Sequence, residues 1–115
     1  MSHYAVWIDH KHAFIYKFDA TGTTETMLEG KGEVKHDDKF FHQVASKLTG
    51  AKELLIMGPG EAKSEFKHHL ENHNHKELAK SVVGVKPMKS HPTKALMLDN
   101  AKEFFKHHHM FTKNY

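Results

Sequence analysis

Gly58-Pro59-Gly60 is followed at helical spacing by Lys63 and Lys67. A glycine turn that opens a helix leaves unpaired N–H groups and the positive end of the helix dipole facing outward, and that combination attracts phosphate. The same residues also serve simply to turn a strand into a helix. The pattern is not a Walker loop, which needs a longer loop ending in Lys-Ser/Thr, and Pro59 removes one N–H donor. A wider basic constellation runs through Lys31, Lys35, His36 and Lys39 and then Lys63, Lys67 and His68. Cations placed this way would hold a phosphate backbone and position it rather than read its bases. Aromatic partners for stacking single-stranded bases are not obvious in these segments, and a solvated surface accounts for the same residues equally well.

Two other sets of residues could do chemistry. Asp9 ends an apolar run, a place similar to that of the first-strand carboxylate that binds catalytic Mg²⁺ in ribonuclease-H-like nucleases. Two-metal chemistry needs several converging carboxylates, and the run ending at Met57 and Gly58 supplies none. Asp99 falls on a late helix. Asp9 therefore reads better as a turn residue that satisfies backbone N–H groups beside His10. His69 and His73 stand four apart and could share a helix face as zinc ligands do. His68, His75 and the triplet 107–109 add to the supply. No thiolate or carboxylate completes a defined ligand pattern, so surface or partly packed rings are the expectation, and no metal or other cofactor is expected.

Composition narrows the functional classes. The chain has 115 residues, with 17 basic and 14 acidic side chains, 13 histidines and a formal charge of +3. Every one of the basic residues is Lys. Without a guanidinium fork, bidentate clamping of phosphate or guanine is excluded and an arginine-finger phosphotransferase is disfavoured. Cysteine is absent, which excludes disulfides and thiolate metal sites. No apolar run approaches the ~20 residues a membrane span needs, and the first residues do not resemble a signal peptide. A cytoplasmic protein that does not engage a membrane is expected.

The elements that would position these residues follow from periodicity. "YAVWID" (4–9) is apolar on both alternating faces, as a buried strand is. "AFIYKF" (13–18) is a second strand, and the gap 10–12 is short enough only for an antiparallel hairpin. "TTETML" (23–28) is a third strand, polar enough for an edge. A loop over 29–38 follows, with Asp37 as a helix cap. Phe40, Phe41, Val44, Ala45 and Leu48 then fall at helical spacing, and Gly50 stands where a left-handed cap belongs. "ELLIM" (53–57) is a central strand. A helix from about residue 61 has the stripe Ala62, Phe66, His69, Leu70 and His73. "SVVGV" (81–85) is a fifth strand, and "SHPT" (90–93) launches a last helix with the stripe Met97, Ala101, Phe104 and Phe105. The spacing between the later strands implies parallel pairing through a right-handed crossover. The fold expected is a single two- or three-layer α/β domain over 1–107, with a mixed five-stranded sheet in the order β-β-β-α-β-α-β-α. Residues 108–115 are expected as a short C-terminal tail.

That order, carried by "AVWIDHKHAFIYKF", "ELLIMGPGEAKSEFKHHL" and "VVGVKPMKSHPTKALML", resembles the middle domain of the archaeal and eukaryotic class-one peptide release factors and of Pelota. It is most similar to short bacterial proteins related to that domain, and the resemblance covers about residues 4–105. It implies a ribonuclease-H-like core and a place in the translation apparatus. One departure matters. Release factors carry a Gly-Gly-Gln tip in the loop after the third strand. Here that loop reads "EGKGEVKHDDKF", with Gly30 and Gly32, and the chain's only glutamine is Gln43, inside a predicted helix. Peptide release is therefore not expected. The leading expectation is a non-catalytic protein that binds ribosomal or other RNA through Lys31, Lys35, Gly58, Gly60, Lys63 and Lys67. The alternatives are a metal-dependent nuclease using Asp9, and a small adaptor whose protein partner docks on a sheet edge.

Overall fold

The computed structural model of the chain describes residues 2–19, 22–30, 38–72, 75–89 and 92–112. A strand that is apolar on both faces must be covered on both, and this requirement organises the molecule. Strand β1 (Ser2–Ile8) sends Tyr4, Val6 and Ile8 to one face and Ala5 and Trp7 to the other, all buried. β2 (His12–Asp19) doubles back antiparallel to β1, with Ile15 opposite Val6, and β3 (Gly22–Glu29) continues the meander. Helix α1 (Asp38–Lys47) leads to β4 (Ala51–Gly58), which lies parallel to β1. Helices α2 (Ala62–Asn72) and α3 (Lys76–Lys80) connect β4 to β5 (Val82–Pro87), again parallel, and α4 (Lys94–Thr112) ends the described chain. The strands lie in the order β3-β2-β1-β4-β5.

The two faces of the sheet carry separate cores, so the fold has three layers. On one face α1, α2 and α3 pack Phe40, Phe41, Val44, Ala45, Leu48, Phe66, Leu70 and Leu78 onto Val6, Ile8, Leu54 and Ile56. On the other, Met97, Ala101 and Phe105 of α4 cover Ala5, Trp7, Leu55 and Met57. Phe66 is fully buried, and burying such a ring contributes about 1.5–3 kcal/mol. Among the described residues the helical stripes expected from spacing are those buried, except that Phe104 stays half-exposed; His73, expected in the α2 stripe, lies outside the described residues. Its ring lies against Gly84, where a Cβ would come within 2.5 Å of Phe104 Cζ.

The helix ends follow the capping physics. Gly50 has φ +87° just past α1, and Thr93 Oγ1 accepts the Leu96 N–H at 3.1 Å at the start of α4. The cap expected at Asp37 lies outside the described residues.

Several boundaries differ from expectation for local reasons. β1 stops at Ile8 because Asp9 turns its carboxylate onto the following backbone. The strand expected at 53–57 lies inside the sheet between β1 and β5, as expected, but is longer, spanning Ala51–Gly58. α3 is an additional element, too short for periodicity to reveal, held to the core by Leu78. α4 runs on to Thr112, into the stretch expected as a tail. The polar third strand is indeed an edge, and its Met27 is 56% exposed.

Candidate functional site

Among the described residues singled out for chemistry, Asp9, Gly58, Gly60 and Lys63 lie towards the start of α2, and His69 and His75 at its far end. At its start, the carboxyl ends of β1, β3 and β4 point the same way, since β4 is parallel to β1, and β1 and β3 are each antiparallel to the β2 between them. Open α/β sheets bind ligands at that edge. Gly58 closes β4 with φ +150°, and a Cβ there would stand 2.2 Å from the Ile8 carbonyl oxygen. Gly60 has φ +59°. Both glycines are thus required by the backbone itself, one by close strand approach and one by a left-handed turn. The Lys63 ammonium donates to the Gly60 carbonyl and so closes the turn from the helix side.

Charges of both signs meet at this corner. His10 Nε2 lies 2.9 Å from Glu65 Oε1 across the mouth of the turn. Lys67 is exposed one helical turn beyond Lys63. Asp9 Oδ1 accepts the N–H groups of Lys11 at 2.8 Å and His12 at 2.5 Å, the turn role read from its position. No group of three or more metal-ligating side chains forms around Asp9 among the described residues.

Lys31, Lys35 and His36 lie outside the described residues, but the anchors of their segment do not. The Gly30 N–H donates to the Lys11 carbonyl at 2.7 Å. A Cβ on Gly30 would meet the Phe40 ring at 2.9 Å. Gly30 and Phe40, on either side of that segment, therefore lie against each other, beside the β1–β2 turn and at the same sheet end as Gly58.

The far end of α2 holds an arrangement that spacing did not reveal. His42 of α1, His69 of α2 and His75 just before α3 bring one ring nitrogen each within 4.8 Å of one another. His42 Nδ1 and His75 Nε2 are 3.1 Å apart. His69 is 5% exposed and packs edge-on to Phe41, with ring centroids 5.7 Å apart. His75 also lines a cleft of about 500 Å³ with Thr49, Glu77 and Ser81. The partner anticipated for His69 was His73, which lies outside the described residues. His42 was overlooked because it sits at the rim of the α1 apolar stripe, beside Phe41, where a histidine looks like any surface residue.

Away from both ends, Tyr16 is buried in the sheet, its hydroxyl 4.0 Å from Met97 Sδ. Burial first, then the hydrogen bond and the negative charge of Glu25, push its pKa well above the ordinary value of 10.0. Glu25 lies directly across the β2–β3 pair from it. Among the described residues no helix is long and apolar enough to cross a membrane.

No family model and no curated protein sequence matches the chain. Solved structures do. The chain is similar to Archaeoglobus fulgidus Pelota over 89% of its own length and 31% of that protein's, at 24% identity and a TM-score of 0.66. It is similar to an archaeal translation termination factor over 98% of its length and 42% of that factor's, at 19% identity and a TM-score of 0.61. It is also similar to Dom34 of S. cerevisiae, a translation termination-like factor involved in RNA quality control pathways and interacting with Hbs1. That match spans 72% of this chain and 28% of Dom34, at 18% identity and a TM-score of 0.53. The chain spans less than half the length of each. The shared feature is the fold: a mixed five-stranded α/β sheet of the kind the sequence resemblance implied.

Proposed function

We propose that this chain is a translation-associated protein of the cytoplasm that contacts ribosomal or other RNA without catalysing a reaction. The observation that carries the reading is the likeness, over nearly the whole chain, to the fold of an archaeal translation termination factor. The local support is topological. The turn at Gly58 and Gly60, the start of α2 with Lys63 and Lys67, and the anchors of the segment bearing Lys31 and Lys35 share one end of the sheet. Lysines there hold phosphates as point charges. Lys63 keeps two further N–H donors beyond the one given to Gly60. Peptide release is outside this reading, because the loop lacks a Gly-Gly-Gln tip. A nuclease centred on Asp9 is disfavoured, since Asp9 serves the turn through Oδ1 and no group of three or more metal-ligating side chains forms around it among the described residues.

Sedimentation of ribosomes from lysate at low and high salt tests the proposal. The chain should travel with ribosomal fractions at low salt and leave them steeply as salt rises, because phosphate contacts release counterions. Replacing Lys31, Lys35 and Lys67 by Gln should weaken binding and flatten that salt dependence, by about 0.7 in the log–log slope per lost single-strand contact. Absence from ribosomal fractions at every salt concentration would end the reading.

A second reading rests on the β3 edge, where Met27 is exposed on an outer strand. Such an edge accepts an added strand from a protein partner. Partner capture that survives RNase treatment and is lost on Met27→Lys would favour it over RNA contact.

A further inference from the structure

We infer that His42, His69 and His75 form a binding site for a divalent transition-metal ion of the zinc class, joining α1 to the α2–α3 connection. The site is independent of the RNA reading, since it lies at the opposite end of α2 from Gly58 and Lys63.

The geometry is close to that of a chelate. Zinc bonds imidazole nitrogen at about 2.0–2.1 Å in a tetrahedral field, which sets two such ligands ~3.3 Å apart. His42 Nδ1 and His75 Nε2 are already 3.1 Å apart. The three nitrogens lie within 4.8 Å of one another, so closure asks for shifts of ~1.5 Å at most, within reach of a small side-chain rotation. The donor set points to the metal class. Three imidazoles suit zinc, nickel or copper, whereas magnesium and calcium demand oxygen ligands.

The surroundings fit a site with one rigid wall and one open side. His69 is held in the core, its ring edge-on to that of Phe41. His42 is exposed and His75 half-buried, so an ion enters from solvent on their side. Three protein ligands leave a fourth position for water or an exchangeable ligand, the arrangement of open rather than closed zinc sites. His75 also borders the cleft of about 500 Å³, so a ligand lodged in that cleft lies next to the ion. The competing account is a plain hydrogen bond between His42 and His75, with ring packing onto His69.

Titration of the full chain with Co²⁺, followed by its visible absorption and then displaced by Zn²⁺, separates the two accounts. One ion per chain with the intense bands of a tetrahedral site is expected. His42→Ala and His75→Ala should each weaken binding by at least ~100-fold, since even residues that merely orient metal ligands are worth 10–100-fold. Both positions lie outside the core, so these variants should fold, which circular dichroism verifies. His69→Leu adds a third test with the inner wall preserved in volume. His68→Ala and His107→Ala remove exposed imidazoles that face Glu71 and Glu103, and these should bind as the unaltered chain does. Lowering pH from about 7.5 to about 5.5 should release the ion, because the ligand is the neutral imidazole. Equal affinity in His42→Ala and His75→Ala, or octahedral spectra titrating to several weak sites, would overturn the inference.

Discussion

The two ends of α2 are built from similar-looking polar sequence and do different things. At its start, Gly58, Gly60 and Lys63 answer to backbone geometry: a carbonyl 2.2 Å from where a Cβ would sit, a positive φ, and a carbonyl that Lys63 caps. At its far end, His42, His69 and His75 bring three ring nitrogens from separate elements within 4.8 Å of one another. A conspicuous motif is thus explained first by the chain's own steric needs, whereas scattered histidines carry an arrangement that only folding assembles. Substitutions of the glycines at the first end should therefore move stability, and those of the histidines at the second should move metal binding.

The largest expected effect is that of Gly58→Ala. The new methyl would strike the Ile8 backbone, which cannot yield without parting β1 from β4. With the strained φ added, a loss of about 3–5 kcal/mol is expected by urea unfolding. A loss under ~1 kcal/mol would erase the contrast drawn here. Asp9→Ala should cost about 1–2 kcal/mol, since it strands two backbone N–H groups, while Asp9→Asn keeps an acceptor and should cost less. If Asp9→Asn instead costs as much as Asp9→Ala, the charge matters more than the turn.

Tyr16 calibrates both ends because it belongs to neither. Its pKa is raised in the folded chain, so its contribution is complete below pH 10.0 and is lost as pH climbs above that. There the unfolded tyrosine ionises while the buried one resists. Tyr16→Phe should flatten this alkaline decline by up to one proton's worth of slope in ΔG against pH. An unchanged slope would remove Tyr16 as its source. The smallest effect on folding belongs to the His42→Ala chain used in the metal titration. Without metal, its stability should stay within ~0.5 kcal/mol of the unaltered chain, because His42 is exposed. A larger loss would mean that the histidine end is itself a structural joint.

Much of the fold was legible because burial imposes periods. Val6 and Trp7 had to face opposite ways and both be covered, though whether two or three layers did so was left open. Phe40, Phe41, Val44, Ala45 and Leu48 could share a face only as a helix, and Thr23–Glu25 were too polar for anywhere but an edge. Asp9 was legible as a turn residue because its carboxylate reaches the backbone just ahead of it. α3 was not, since Leu78 alone between lysines and a glutamate has no period to display. The union of His42 with His75 was not legible either, as nothing local ties α1 to the residue before α3.

The sequence by itself determined the elements other than α3, their polarity and the glycine turns, since these depend on interactions within a few residues: side-chain period, φ preference and capping. Tertiary structure alone decided which groups from distant elements meet: Gly58 on Ile8, Gly84 beneath Phe104, and three imidazoles at one point. Such meetings depend on how helices settle onto the sheet to fill two cores, and that packing is a property of the whole chain that no short window of residues contains.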